Sequence, residues 1–401
     1  MPTRQTEAEA AIQARIAQRG RITFAEFMEM ALYGRGGYYS AGEPFGAEGD
    51  FFTSPLAHPA FGALLAVQME QVWRLMGEPG RFEVLELGAG TGRLANDVLS
   101  YMEVWSPMCA KALAYQACDG RRQPEGLDPR VTWERSGEVP AQIAGCIISN
   151  EFFDALPVHV VEMTRKGLRE VYVAAAHGEF GEELAEPSTP ELAARLKAWG
   201  AELKPGYRGE ICLDAEVRME ALAKALTRGV IISVDYGDEA ERLFIPQRSR
   251  GTLTAYHRHA QSANPLRRAG EQDLTAHVNF SGLMAAGSRG GAEPVTLMAQ
   301  QVFLRELGLK AVRERVEQAG LSQREHDVNV MAMGELMRPE GLGGFRVLVQ
   351  AKGIEAERLL CLGRDEAVKQ AVARRIGELP PPLVTAGHVP LASGKYPHLG
   401  G

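Results

Sequence analysis

From residue 79 onward the apolar positions fall into short runs separated by stretches with helical spacing. Phe82 to Leu87 reads as a strand, Leu94 to Met102 as a helix and Leu113 to Cys118 as the next strand. Val131 to Trp133 and Cys146 to Ser149 supply two more, and after a helix over roughly 214–227 a fifth strand runs from Val230 to Val234. Strands interleaved with helices predict an α/β fold, a Rossmann-like parallel sheet wound on both faces. A late strand over Phe345 to Val349 is expected to pair at its edge.

Ahead of the sheet, residues 5–33 predict two helices, the second opened by Thr23 with Glu26 three residues on, a capping-box pattern. Residues 60–76 predict a third, with Phe61, Leu64, Leu65, Val67, Val72 and Leu75 on one face and a stop at Gly77 and Pro79. Two loop-like stretches lie between, Tyr33 to Tyr39 with its glycines and aromatics, and Gly49 to Pro55. Residues 158–213, opening with a hairpin around Lys166-Gly167, and residues 238–300, rich in Arg, His and Gly, interrupt the core as lids or substrate elements. The organisation expected is an N-terminal helical and loop extension at 1–78, a core at 79–355 carrying those two insertions, and a segment at 356–401. That last segment is read as a helix followed by an aperiodic, flexible tail from Pro380.

With 401 residues, 45% of them apolar and 24% charged, the chain has the material for a sizeable core. A net charge of −7 argues against general nucleic-acid binding, which a phosphate backbone rewards only on a basic surface. No apolar run approaches the roughly 18 residues a membrane span needs, and the first 20 residues lack the apolar stretch of a secretory signal. Five scattered cysteines without a CxxC pair fit a reducing compartment, and a cytoplasmic location is expected, or the mitochondrial matrix only if the chain is eukaryotic. His257 and His259 have no companions at metal-ligand spacing, so no metal is expected.

Two loops carry the candidate chemistry. Glu86-Leu87-Gly88-Ala89-Gly90-Thr91-Gly92 joins the first strand to its helix, and glycines there allow a sharp turn and close approach of a ligand to the backbone. Arg93 stands where a dinucleotide fingerprint would place a glycine, and Glu86 would repel a pyrophosphate while attracting an ammonium group. S-adenosylmethionine has that ammonium and no phosphate, so it is favoured over NAD. Asp119, following the second strand, is placed to accept from two ribose hydroxyls. After the fourth strand comes Asn150-Glu151-Phe152-Phe153-Asp154, two carboxylates flanked by aromatics at the carboxyl edge of the sheet. Such a pair can hold a cationic nucleophile in a site from which the phenyl rings exclude water. The alternative is a capped helix start whose acids favour the dipole.

The blocks ITFAEFMEMALYGRGGYYS, GDFFTSP, LELGAGTGRLANDVL, NEFFDALPVHV, SVDYG, GTLTAYHRH and GEQDLTAHVNFSGL together resemble the MidA-type family of bacterial and mitochondrial methyltransferases. The similarity runs from about residue 20 to 350. The chain departs from the family at Gly34-Arg35, where His-Pro is usual, at Leu56 and within the glycine loop. The resemblance implies methyl transfer from S-adenosylmethionine to an arginine of a protein partner, such as a respiratory complex I subunit, giving symmetric dimethylarginine. It implies cofactor contacts from Glu86, Gly88, Gly90, Gly92, Asp119, Asn150, Thr53 and Ser54, and catalytic roles for Glu151 and Asp154. Substrate contacts are implied for Asp50, Asp235, His259 and His277. A methyltransferase for a small molecule or another protein atom, a cofactor-binding assembly chaperone and an oxidoreductase stay open as alternatives. So does the oligomeric state, a homodimer included.

Overall fold

A computed structural model describes residues 5–41, 53–257, 260–262 and 264–388. Seven strands form the central sheet: β1 (Phe82–Leu87), β2 (Leu113–Cys118), β3 (Val131–Glu134), β4 (Ile143–Asn150), β5 (Leu226–Asp235), β6 (Glu293–Ala299) and β7 (Arg346–Lys352). Their order is β6-β7-β5-β4-β1-β2-β3. The first five pair in parallel, and β7 runs antiparallel to both β5 and β6. The late strand is therefore interior, not at the edge. Val347, Leu348 and Val349 are each no more than 1% exposed, and a strand apolar on both faces needs a cover on both.

Eight helices matter for the site and its support: α1 (Glu7–Arg19), α2 (Phe24–Leu32), α3 (Ala60–Leu75), α4 (Arg93–Trp105), α5 (Leu213–Ala225), α6 (Phe280–Arg289), α7 (Gln323–Met337) and α8 (Glu366–Glu378). Because side chains alternate along a strand, Val84, Ile148 and Ile232 enter the core beneath α3 and α4. Leu85, Ile147 and Ile231 enter the opposite one beneath α5 and α6. The segment expected as an insertion at 238–300 thus rejoins the core early, since α6 packs with α5 and β6 belongs to the sheet.

A smaller antiparallel sheet sits over the carboxyl ends of the main strands. His159–Thr164 and Gly167–Ala176 form the hairpin expected around Lys166-Gly167, joined by Glu179–Ala185, Arg208–Ile211 and the two-residue strand Ile22–Thr23. Ile12, Phe24, Phe27, Val160, Val171 and Leu274 share one apolar cluster there. The N-terminal extension is consequently divided. Residues 5–41 fold with the inserted sheet, whereas α3 covers the main one. Thr23 does cap α2 through the Glu26 amide (3.1 Å), but the Glu26 carboxylate turns to Arg15 (2.6 Å) instead of closing a capping box. Full boxes close at Thr6 and Glu9 on α1 and at Ser322 and Glu325 on α7.

The tail is ordered as far as the structure describes it. His388 is 1% exposed, with Nε2 3.2 Å from Asp97 Oδ2 on α4. The Val384 amide donates to Asn329 Oδ1 on α7 (2.9 Å), which also meets His58 Nε2 (3.0 Å). Local periodicity misses this strap because single buried hydrogen bonds hold it, not a repeating apolar face. No helix among the described residues is long and apolar enough to cross a membrane.

Candidate active site

The glycine loop turns sharply between β1 and α4. Gly88, Gly90 and Gly92 have φ of 65°, 58° and 69°, left-handed values that favour residues without a Cβ. A Cβ on Gly88 would lie 3.1 Å from the Phe152 ring, so the loop and the segment after β4 are in close contact. The Gly90 amide donates to Asp119 Oδ2 (2.9 Å), and Arg121 forks onto the same carboxylate through Nε (2.9 Å) and Nη2 (3.0 Å). Asp119 thus lies at the end of β2 beside the turn, in the position expected of a ribose acceptor. Glu86 is placed differently from the expectation. Its carboxylate is 3% exposed beneath the loop and accepts from the Tyr115 hydroxyl (2.8 Å). Burial first, then the charges of Asp119 and Asp97, push its pKa up to about 8. A contact from Glu86 to an ammonium group would have to form beneath the turn and not across the open crevice.

The acidic segment does not start a helix. Glu151 has φ 52°, rare for a residue with a side chain, and its amide is tied to the Val234 carbonyl of β5 (2.8 Å). Asp235 Oδ2 accepts from the amides of Phe152 (3.2 Å), Phe153 (3.0 Å) and Asp154 (3.3 Å). Expected as a substrate contact, Asp235 is 1% exposed and shapes this turn from below. The turn presents Glu151 and Asp154 together. Asn150 Nδ2 donates to Glu151 Oε1 (2.9 Å), and the Ser54 amide also bonds Glu151. Asp154 Oδ2 accepts from the Tyr236 hydroxyl at 2.6 Å.

Hydrogen bonds from Asn150, the Ser54 amide and Tyr236 offset only part of the cost of burying these acids. Burial raises the Glu151 pKa to about 8, and Asp154 adds to the effect. Burial also raises Asp154 and Asp235, the latter further through Asp154 and Glu151. Among the described residues, no basic side chain is a main influence on any of the three. Asp154 Oδ1 and Asn150 Oδ1 are buried without a well-aligned hydrogen bond, although the Ala155 amide lies near enough to Asp154 to favour its ionised form. A buried acceptor left unmet costs about 1–3 kcal/mol, so the pocket is poised for a donor-rich cation.

The remaining expected residues surround this centre at different depths. Thr53 and Ser54 are buried, and Ser54 Oγ donates to Gln300 (2.9 Å) behind the site. His277 packs edge-on against Tyr236 (5.4 Å) and meets Arg248 through Nδ1 (3.2 Å). Burial and the Arg248 charge lower its pKa to about 4, so it is a neutral support for Tyr236 and not a charged contact. Asp50 and His259 lie outside the described residues. Sequence reasoning missed the tyrosine hydroxyls. Tyr33 donates to the Ala155 carbonyl (2.9 Å), Tyr39 to Asp273 Oδ1 (2.9 Å) and Tyr236 to Asp154. The clustering of Tyr33 and Tyr39 is visible in the sequence, but their targets, 122 and 234 residues away, are not.

A family profile described as "Putative S-adenosyl-L-methionine-dependent methyltransferase" matches residues 64–297, more than half the chain. The chain belongs to this methyltransferase family. A Drosophila melanogaster relative named as a mitochondrial protein arginine methyltransferase NDUFAF7 homolog is 28% identical over 87% of this chain and 85% of its own length. The Mus musculus protein arginine methyltransferase NDUFAF7 is 29% identical over 82% and 80%. A Burkholderia thailandensis protein crystallised with S-adenosyl-homocysteine superposes with a TM-score of 0.79 at 29% identity, covering 90% of this chain and 96% of that one. The sheet is accordingly a class I methyltransferase sheet, and the family's methyl donor is S-adenosylmethionine. The site residues fit that cofactor. The glycine turn leaves its backbone open to close approach, Asp119 stands beside it, and the buried acids of the neighbouring turn suit the charge of a sulfonium.

Proposed function

We propose that the chain methylates an arginine side chain of a protein partner, giving symmetric dimethylarginine, with Glu151 and Asp154 as the residues that grip the guanidinium. The observation carrying this reading is the pocket of buried carboxylates on which no basic side chain among the described residues is a main influence, with Asp154 Oδ1 and Asn150 Oδ1 still lacking well-aligned hydrogen bonds. A guanidinium has five N–H donors in a planar fork and stays charged, which matches two carboxylates and an amide oxygen better than a neutral nucleophile would.

S-adenosylmethionine supplies an electrophilic methyl carbon. The chain's own groups do the rest. Glu151 and Asp154, ionised when a cation enters, draw the positive charge to one side of the guanidinium and leave a nitrogen free to form the N–CH3 bond as the S–CH3 bond breaks. The proton lost from that nitrogen passes to one of the two carboxylates and from there to solvent when the product leaves. Phe152, against Gly88, and Phe153, 2% exposed, close the floor to water. The relatives named as protein arginine methyltransferases support this reading, and the family resemblance points to a respiratory complex I subunit as partner.

The test is to incubate the purified chain with methyl-labelled S-adenosylmethionine and extract from cells lacking it, hydrolyse the protein fraction and identify the labelled amino acid. Symmetric dimethylarginine is expected. Label confined to small molecules, or to another amino acid, would overturn the arginine assignment.

A further inference from the structure

Tyr33 is the one aromatic side chain among the large apolar residues left exposed in the described chain, at 39%. Nothing about its position is loose. It caps α2, whose Phe24, Phe27, Met28, Ala31 and Leu32 are all buried, so the helix end is fixed. Its hydroxyl is anchored on the Ala155 carbonyl, the residue after Asp154. Its ring stacks on Tyr39 at 5.4 Å and 21°, and Tyr39 in turn meets Tyr38 edge-on at 5.1 Å. The Tyr39 hydroxyl reaches Asp273, which is fully buried beside the Asp154 turn. Burial and the charges of Asp273, Asp154 and Glu29 hold the Tyr33 phenol well above its usual pKa, which places the ring inside the negative field of the pocket. A part-exposed residue whose ring is locked in orientation, with its hydroxyl end buried in an anionic field, is a platform for a flat cation.

We propose that Tyr33, backed by Tyr39, is the outer wall of the cation pocket and selects arginine over lysine by packing on the guanidinium and stem of the incoming side chain. This rests on the arginine reading above. A guanidinium is planar and weakly hydrated and stacks on an aromatic face, whereas a compact, strongly hydrated ammonium gains less there. The charges of Asp154 and Glu151 attract either cation, so beyond the fit of the guanidinium fork to the carboxylates the ring supplies the discrimination.

Methyl transfer is measured to a peptide library with one central arginine and to the same library with lysine, using wild-type chain, Tyr33→Ala and Tyr33→Phe. Tyr33→Ala should raise KM for the arginine library by about threefold to thirtyfold, the range of a cation–π contact, with kcat little changed. The arginine-to-lysine preference should shrink by the same factor, S-adenosyl-homocysteine affinity should hold, and Tyr33→Phe should restore most of the loss. Unchanged KM and preference in Tyr33→Ala would overturn the proposal while leaving the arginine reading intact. So would a parallel fall in cofactor affinity and melting temperature, the mark of a merely structural ring. Absence of label on arginine with the wild-type chain would remove the arginine reading and this proposal with it.

Discussion

Replacing Glu151 with glutamine keeps the shape of the acidic turn and the Asn150 contact while removing a titrating charge from a pocket that lacks basic support. Burial holds the Glu151 carboxyl near 8, so at pH 7 about a tenth of the cation-free protein carries it ionised, and at pH 9 about nine tenths. If the ionised form grips the substrate, single-turnover methyl transfer at saturating cofactor and limiting substrate should rise between those values, by at most about tenfold because the bound sulfonium also favours the ionised carboxylate. Glu151→Gln should flatten that rise and lower turnover by about 10²–10⁴, the range for a positioned acid–base group. Stability carries the same signature with opposite sign. A carboxyl whose folded pKa lies above its unfolded value of 4.5 stabilises the fold fully only below that pH, and the contribution is lost as pH rises through about 8. The melting temperature of the cofactor-free chain should therefore fall across that window, less steeply in Glu151→Gln. A variant with normal turnover and the wild-type pH slope would refute the clamp, whatever its cofactor affinity.

Gly90→Val places a β-branched side chain at φ 58°, with its Cβ about to meet Arg121 at 3.5 Å, and calorimetry should show S-adenosyl-homocysteine binding abolished in a folded protein. Asp119→Ala removes the carboxylate that steadies the Gly90 amide and is proposed to hold the ribose, and should weaken that binding by about ten- to a hundredfold. Arg121→Ala, which frees the carboxylate, should leave it within a few fold by the same assay. His388→Ala strips a buried partner from Asp97 and should lower the melting temperature by about 2–8 °C in a thermal scan, with no direct effect on the acidic turn.

Much of the fold was legible because its cause is local. The strands Phe82–Leu87 and Leu113–Cys118 have the bounds their apolar runs predict, since buried parallel strands need apolar side chains on both faces. The placement of β7 was not legible. A run such as Val347 to Val349 reads the same at an edge or in the interior, and only pairing with β5 and β6 on either side decides it. The acidic turn was found from Glu151 and Asp154 standing three apart after a strand, but its geometry depends on Asp235, which sits 81 to 83 residues from the amides it receives. Tyr33 and Tyr39 escaped as site residues for the same reason. Aromatic residues in a glycine-rich loop predict a loop, and their hydroxyl partners on Ala155 and Asp273 come from parts of the chain that only the folded second sheet brings near.

The central claim is that this chain places methyl groups on arginine through its acidic turn. The most direct measurement is quantitative mass spectrometry of arginine methylation in cells lacking the protein, restored either with the wild-type chain or with Glu151→Gln. At least one symmetric dimethylarginine site should vanish on loss, return with the wild-type chain and stay absent with the variant expressed at the same level. No arginine site that depends on the protein, or full restoration by Glu151→Gln, would contradict the account.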